Sequence, residues 1–448
     1  MIGKHVWSLT PAKIILGGFF LIILAGALLL CLPFASKSGT ATPFLDAFFT
    51  ATSATCVTGL IVQDTYTYWS SFGQAVILLL IQIGGMGVVT LAIAITILSG
   101  RKIGLKQRYV MQESISAPQV GGIVRMTSFI VKGTILLEAA GAVIMAFQFC
   151  PQMGFGKGIW FSVFHSISAF CNAGFDLMGD TSGPCSSITS YTGNSIINLP
   201  IMFLIAAGGI GFFAWDDIKA HGLRTKYYHL QTKVVLVTSL FLILVPSLFL
   251  FFFEFTRDCW SGLTLKERIL ASVFQAITPR TAGFNSVDLN LLSEPSKLLV
   301  VILMIIGGSP GSTAGGIKTT TFAISLLCVR SVFQNQETIQ CFNRRIPYDI
   351  LRNAIAILAM YLTLMFSATF LLVWIEGVTL MEASFETASA VATVGLTLGI
   401  TGGLNSVSKM ILILLMYFGR VGGLTMLYAL TNRKKLPVML PQERINVG

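Results

Sequence analysis

Four short stretches of this chain are variants of one another, and no other feature restricts the fold as much. They read SATCVTGL from Ser53 to Leu60, SAFCNAGF from Ser168 to Phe175, ITPRTAGF from Ile277 to Phe284 and SAVATVGL from Ser389 to Leu396. Their glycines, Gly59, Gly174, Gly283 and Gly395, stand roughly 110 residues apart. Six positions before the glycine stands a serine, with Ile277 the exception, and Phe49, Phe164, Phe274 or Phe385 precedes it by nine or ten. A second marker trails each glycine by 25, 34, 24 and 24 residues: Gly84-Gly85-Met86-Gly87, Gly208-Gly209-Ile210-Gly211, Gly307-Gly308-Ser309-Pro310-Gly311 and Gly419-Arg420-Val421-Gly422-Gly423. Two markers keeping step in four registers describe one unit written four times. We place the units at 10–100, 120–220, 230–335 and 350–433, with a tail at 434–448.

Each unit is built for a bilayer. Apolar runs at 14–32, 128–149, 234–253 and 355–373 are long enough to cross a hydrocarbon core of about 30 Å as helices. Only 11% of residues are charged, against about 25% in a soluble domain, so most of the surface cannot face water. The segments before the marker glycines, at 44–54, 159–169, 269–276 and 379–390, are too short to span and suit re-entrant helices. The expected fold is an all-α polytopic membrane protein. It has four covalently linked repeats of outer helix, re-entrant pore helix and inner helix with a small-residue break, eight spanning helices in all, around one pore.

Charge gives an independent check. The net charge of +11 would suit a nucleic-acid binder, but the basic residues gather in alternate loops. Arg101, Lys102, Lys106, Arg108 and Arg125 form one group, followed by Lys219, Arg224, Lys226 and Lys233, then Arg330, Arg344, Arg345 and Arg352, then Arg433, Lys434 and Lys435. That bias puts these loops and both termini in the cytoplasm and needs no nucleic acid. It holds only if the short helices re-enter, because spanning ones would make the basic loops alternate sides. The first apolar run follows Lys4 and Lys13 and ends without a small-x-small site, and Leu28-Leu29-Leu30 before Cys31 lacks the small residue that lipoprotein processing needs. A retained first span is expected. The eight cysteines show no CxxC spacing and no histidine cluster, so they suggest no metal site.

Non-helical backbone at membrane depth is tolerated only inside protein or along a water-filled path. Four copies converging on one axis would form rings of carbonyl oxygens, able to replace the water of a monovalent cation without fixed charge. Glycine permits the left-handed turn and the close approach, and the re-entrant helices aim their negative dipole ends at the centre. The inner glycine clusters keep two readings open, helix bending or close helix approach.

The arrangement resembles the Trk/Ktr/HKT superfamily of potassium transporters, specifically the Ktr-type membrane subunit, over nearly the whole chain. The resemblance rests on the four marker turns, on the run from Gly307 through Gly316 to Lys318, and on FGRVGGLT from Phe418 to Thr425. It implies a selectivity filter at Thr55-Cys56-Val57-Thr58-Gly59, Phe170-Cys171-Asn172-Ala173-Gly174, Pro279-Arg280-Thr281-Ala282-Gly283 and Val391-Ala392-Thr393-Val394-Gly395, with potassium on backbone carbonyls. Glycine in all four repeats is the family's potassium-favouring pattern; a serine in the first is associated with sodium-conducting members. It further implies a bacterial plasma-membrane homodimer, one pore per subunit, resting on a cytoplasmic ring of regulatory subunits. Nucleotide is expected on that partner only, and no covalent cofactor on this chain.

A gate is legible beside the filter. Gly307, Gly308, Ser309, Pro310, Gly311, Ser312, Thr313, Ala314, Gly315 and Gly316 cannot hold a helix at about 1 kcal/mol per glycine and 3 per proline. They should unwind mid-membrane into a loop below the filter, which the resemblance also makes the gate. Lys318 either holds this loop or faces the cytoplasm. Arg420, a costly intramembrane cation, either projects toward the pore and opposes cations, or pairs with an acid such as Glu113 or snorkels inward. At the outer mouth Asp46, Glu382, Asp64 and Asp288 either concentrate cations or, for Asp46 and Glu382 preferentially, serve short-helix N-termini. Arg280 is expected to pair with one of these acids.

Potassium uptake through a gated, channel-like pore is the leading function. Obligatory sodium–potassium symport or a less selective pathway is the alternative within transport. A carrier built on inverted repeats does not match four parallel units. An intramembrane enzyme lacks a constellation, because His5, His165, His221 and His229 lie apart; His165 is expected to pack within a pore helix.

Overall fold

The computed structural model describes residues 10–88, 90, 104, 109, 110, 112, 123–423, 425 and 426. The first unit comprises α1 (Pro11–Leu30), α2 (Phe44–Thr55) and α3 (Ser71–Met86). The second comprises α4 (Ile123–Met153), α5 (Phe155–Phe170), α6 (Ser195–Ile210) and α7 (Phe212–His221). The third comprises α8 (Leu230–Phe249), α9 (Leu265–Ile277), α10 (Glu294–Ile305) and α11 (Thr319–Phe333), and the fourth α12 (Tyr348–Glu376), α13 (Leu380–Ala392) and α14 (Ser406–Val421). A small hairpin pairing Gln340–Cys341 with Arg344–Arg345 precedes α12. The fold is thus helical, in four repeats of the expected order.

The outer helices are the long apolar ones. Pro11–Leu30, Val124–Met153, Leu230–Glu254 and Tyr348–Glu376 are each long and apolar enough to cross a membrane. Leu21, Phe147, Phe241 and Phe370 stay exposed on them, as suits a surface facing lipid. The inner helices are all interrupted at their glycine clusters. Helix α3 stops at Gly87 and α14 at Gly422, both with φ above +80°. Helices α6 and α7 bend by 95° about Gly211, and residues 306–318 separate α10 from α11.

The short helices start where local chemistry starts them. Thr264 and Glu267 form a reciprocal capping box on α9, and Thr379 and Glu382 form one on α13. The T-x-x-E signature moves the start of α9 four residues ahead of the apolar pattern. Helix α5 also begins early, at Phe155, because Gly154 turns the chain with φ +83° directly after α4. All four repeat phenylalanines, Phe49, Phe164, Phe274 and Phe385, are fully buried and anchor the short helices in the core.

Three of the four seams between units are crossed by the chain, but the seam between the fourth unit and the first is not. Side chains close it. Lys409 on α14 meets Asp46 on α2 at 2.8 Å with both groups largely buried, and Tyr417 Oη donates to Leu16 O at 2.7 Å.

A ring of glycines above a buried loop

Two features of each short helix converge at its C-terminal end. Gly59, Gly174, Gly283 and Gly395 all have positive φ, between +70° and +95°. A methyl group on Gly174 would lie 2.8 Å from Ala282 O and from Gly283 Cα, and one on Gly283 only 2.5 Å from Val394 O. On Gly395 it would strike Thr58 O, and on Gly59 it would strike Ala173 O, closer still. The contacts run from first to second to third to fourth unit and back to the first. The four turns therefore close into one cycle around one axis, with a carbonyl of each turn against the glycine of its neighbour.

The turns are held from behind. Val57, Asn172, Thr281 and Thr393, two residues before each glycine, are left-handed, a conformation costing about 1–3 kcal/mol in a side-chain-bearing residue. Hydroxyls support them. Ser53 Oγ accepts from Gly59 N at 3.1 Å and Ser389 Oγ from Gly395 N at 3.0 Å. Ser168 Oγ donates to Phe175 O at 2.7 Å, and Thr278 Oγ1 donates to Phe284 O at 2.7 Å. Thr278, not Ile277, thus holds the serine's place in the third unit. Counted from the phenylalanine the pattern has no exception: Ser53, Ser168, Thr278 and Ser389 each follow it by four positions, and the third turn is one residue shorter.

The two sequence markers keep step because they touch. A methyl group on Gly84, Gly208 or Gly419 would overlap Thr55 O, Phe170 O or Val391 O, each four residues before its ring glycine. The inner glycines let the inner helices approach the ends of the pore helices as well as break. In the third unit Gly307 and Gly308 pack instead against Gly315 and Ala314 of the loop.

That loop lies directly below the ring. Ser309 N donates to Gly209 O at 2.9 Å, Phe212 N to Gly311 O at 2.9 Å, and Thr313 Oγ1 to Phe170 O at 3.1 Å, tying it to the second unit. Gly315 abuts Thr393 of the fourth. Lys318 Nζ donates to Ala314 O at 2.7 Å, so this lysine holds the loop. Arg420 reaches from α14 to Thr313 O, Gly84 O and, at 3.2 Å, Gly85 O. It joins the fourth unit, the loop and the first unit by carbonyl contacts; Glu113 lies outside the described residues. Beneath the loop a cavity of about 220 Å³ is lined by Phe19, Met86, Lys318, Tyr361 and Arg420 among others.

Other sites are placed differently from expectation. Arg280 Nη2 donates to Ser239 Oγ on α8 at 3.1 Å and has no acidic partner among the described residues, so its expected ion pair is not formed. The reason is direction: the guanidinium points back to its own outer helix, away from the mouth. Glu382 sits in the capping box, Asp46 pairs with Lys409, Asp288 caps a short turn through Asn290 N, and Asp64 accepts from Tyr66 N, Thr67 N and Cys185 N. His165 is buried in α5, between Phe161 O at 2.7 Å and Leu177 N at 3.3 Å. All eight cysteines are free.

Three acids beside the ring turns were not singled out by sequence. Glu138 on α4 accepts from Gln82 Nε2 at 3.2 Å behind Cys171, and Glu386 is fully buried in α13. Asp176 lies two residues beyond Gly174 and accepts from Met178 N at 2.9 Å. Burial pushes the Asp176 carboxyl up to about 7, and the Asp64 charge acts the same way, against hydrogen bonds from Met178 and Ser187. A group raised in this way is neutral below that pH and anionic above it, and an anion near the ring draws cations. Uptake at limiting cation is expected to rise severalfold from about pH 6 to about pH 8. Asp176→Asn should flatten the profile; an unchanged slope in the variant would exclude Asp176 as its source.

With this geometry in view, relatives are informative. The family model described as a cation transport protein, TrkH, matches residues 20–445. The potassium/sodium uptake protein NtpJ of Enterococcus hirae is 39% identical, with 98% of each chain covered. The Ktr system potassium uptake protein B of Bacillus subtilis is also 39% identical, covering 98% of this chain and 97% of its own. The crystal structure of the potassium transporter TrkH from Vibrio parahaemolyticus matches with a TM-score of 0.73 over 96% of this chain and 86% of that one, at 22% identity, which establishes a shared fold. Membership in an ion-transport family also removes the intramembrane enzyme. The chain belongs to the TrkH family of cation transport proteins and is a membrane-embedded ion transporter.

Proposed function

We propose that this chain takes up potassium through a channel-like pore, as the ion-translocating subunit of a Ktr-type system. The observation that carries the reading is the closed cycle of ring glycines with a neighbour's carbonyl at each contact. Such a ring supplies oxygens without fixed charge to a cation that has shed water. Potassium is held at the carbonyls of the four turns, and the membrane gradient drives it inward. The loop at 306–318, latched by Arg420 and Lys318, is the gate below it. The basic loops and both termini face the cytoplasm of a bacterial cell. There a homodimer rests on a ring of regulatory subunits, which bind the nucleotide and act on the loop. The relatives' names, potassium/sodium uptake protein and Ktr system potassium uptake protein B, support this reading. The first of them also favours a second one, in which sodium moves with potassium or in its place.

Reconstitution decides between them. Purified chain in liposomes is expected to admit a rubidium tracer down a potassium gradient with no sodium present. Uptake that requires sodium, with sodium tracer entering in step, would replace the channel reading by symport. Absence of any cation flux would reject permeation through this chain.

A further inference from the structure

The residue after each repeat phenylalanine is polar and buried: Thr50, His165, Gln275 and Glu386. Only the fourth carries a carboxylate, and both its oxygens are engaged. Thr397 Oγ1 donates to Glu386 Oε2 at 2.7 Å, and Thr401 Oγ1 donates to Oε1 at 2.5 Å. Thr397 stands two residues beyond the ring glycine Gly395. Its hydroxyl also accepts from Gly399 N at 3.0 Å and lies 3.1 Å from Thr401 Oγ1. Glu386 therefore ties the middle of α13 to two points of the segment that leaves the ring on its outer side.

A fully buried carboxylate is a costly group to place here, because it must be desolvated and then satisfied by hydrogen bonds. Helix formation does not demand it, since threonine, histidine and glutamine occupy the same place in the other units. No lysine or arginine among the described residues pairs with it. What the carboxylate does that a neutral apolar group would not is to fix Thr397 and Thr401 at once, and through Thr397 the outer lip of the fourth turn.

We propose that Glu386 is a positioning residue for ion selection: by clamping Thr397 and Thr401 it stops the Val394–Gly395 turn from relaxing toward the axis. A turn free to move inward can shorten its oxygen distances to suit sodium, whereas a held turn keeps the wider spacing that potassium needs. This rests on the permeation reading above.

Full-length protein in liposomes tests it, with potassium and sodium tracer fluxes measured separately. Glu386→Ala removes both acceptors, Thr397→Val removes one donor at nearly constant volume, and Thr397→Ser keeps the hydroxyl. Thr387→Val is the control for a loosened pore helix, since its hydroxyl meets Thr369 on α12 at 2.7 Å. The potassium-to-sodium flux ratio is expected to fall about tenfold in Glu386→Ala and Thr397→Val, the scale of a lost buried hydrogen bond. It should stay within about twofold of wild type in Thr397→Ser and Thr387→Val, although the latter melts earlier. If Glu386→Ala does not fold, Thr397→Val decides alone. Folded Thr397→Val with the wild-type ratio overturns the proposal and leaves permeation intact. Wild-type protein without cation flux overturns both.

Discussion

Replacing Gly283 with alanine is expected to lower potassium flux by at least about a hundredfold in vesicles while leaving a folded protein. Two effects act together. Alanine at φ +79° carries a left-handed cost of about 1–2 kcal/mol, and its methyl group would sit 2.5 Å from Val394 O and 3.0 Å from Gly174 Cα. The backbone can relieve that overlap only by moving the third turn against the second and fourth, which breaks the ring. Gly39→Ala separates the two effects, since Gly39 also has φ +70° but open space around its Cα. It should cost stability modestly and leave flux unchanged. A Gly283→Ala protein conducting within about threefold of wild type would mean that the ring does not line the path, since lost lining should cost several kcal/mol.

Arg420→Gln is expected to change flux in the opposite direction. The guanidinium holds carbonyls of the loop and the first unit at the rim of the cavity below the ring. A unit charge about 5 Å from a passing cation, at an effective dielectric of about 20, raises its energy by about 3 kcal/mol. Glutamine keeps some hydrogen bonding and removes that charge, so uptake should rise at least about tenfold. Shortening the loop within Gly311–Gly316 should raise it as well and weaken regulation, because Thr313 O is one of the arginine's partners. Loss of protein from the membrane would indicate a folding role instead; normal protein with unchanged flux would remove both the charge and the loop from the barrier.

The architecture was readable because its requirements are local and repeated. A turn that tolerates only glycine, a short helix before it and a small-residue contact after it leave the same trace four times. One trace was misaligned: counting back from Gly283 lands on Ile277, whereas counting on from Phe274 lands on Thr278, whose hydroxyl makes the contact. Partnerships across the fold left no trace. Asp46 finds Lys409 at a separation of 363 residues, and Arg280 finds Ser239 on its own outer helix. Side-chain direction, which decides both, is set by packing and not by spacing. Glu386 and Glu138 escaped notice for a related reason, since a single acid in an apolar helix acquires meaning only from what surrounds it.

The uncrossed seam between the last unit and the first has a consequence for biosynthesis. While the chain is being made, two edges of the ring can form in order, but the edges from Gly283 to Val394 and from Gly395 to Thr58 must wait for the final unit, together with Lys409, Tyr417 and Arg420. The last two edges of the ring and the arginine that bridges the loop to the first unit are delivered by the same segment. A ribosome stalled in the third unit would leave a fragment without a closed ring.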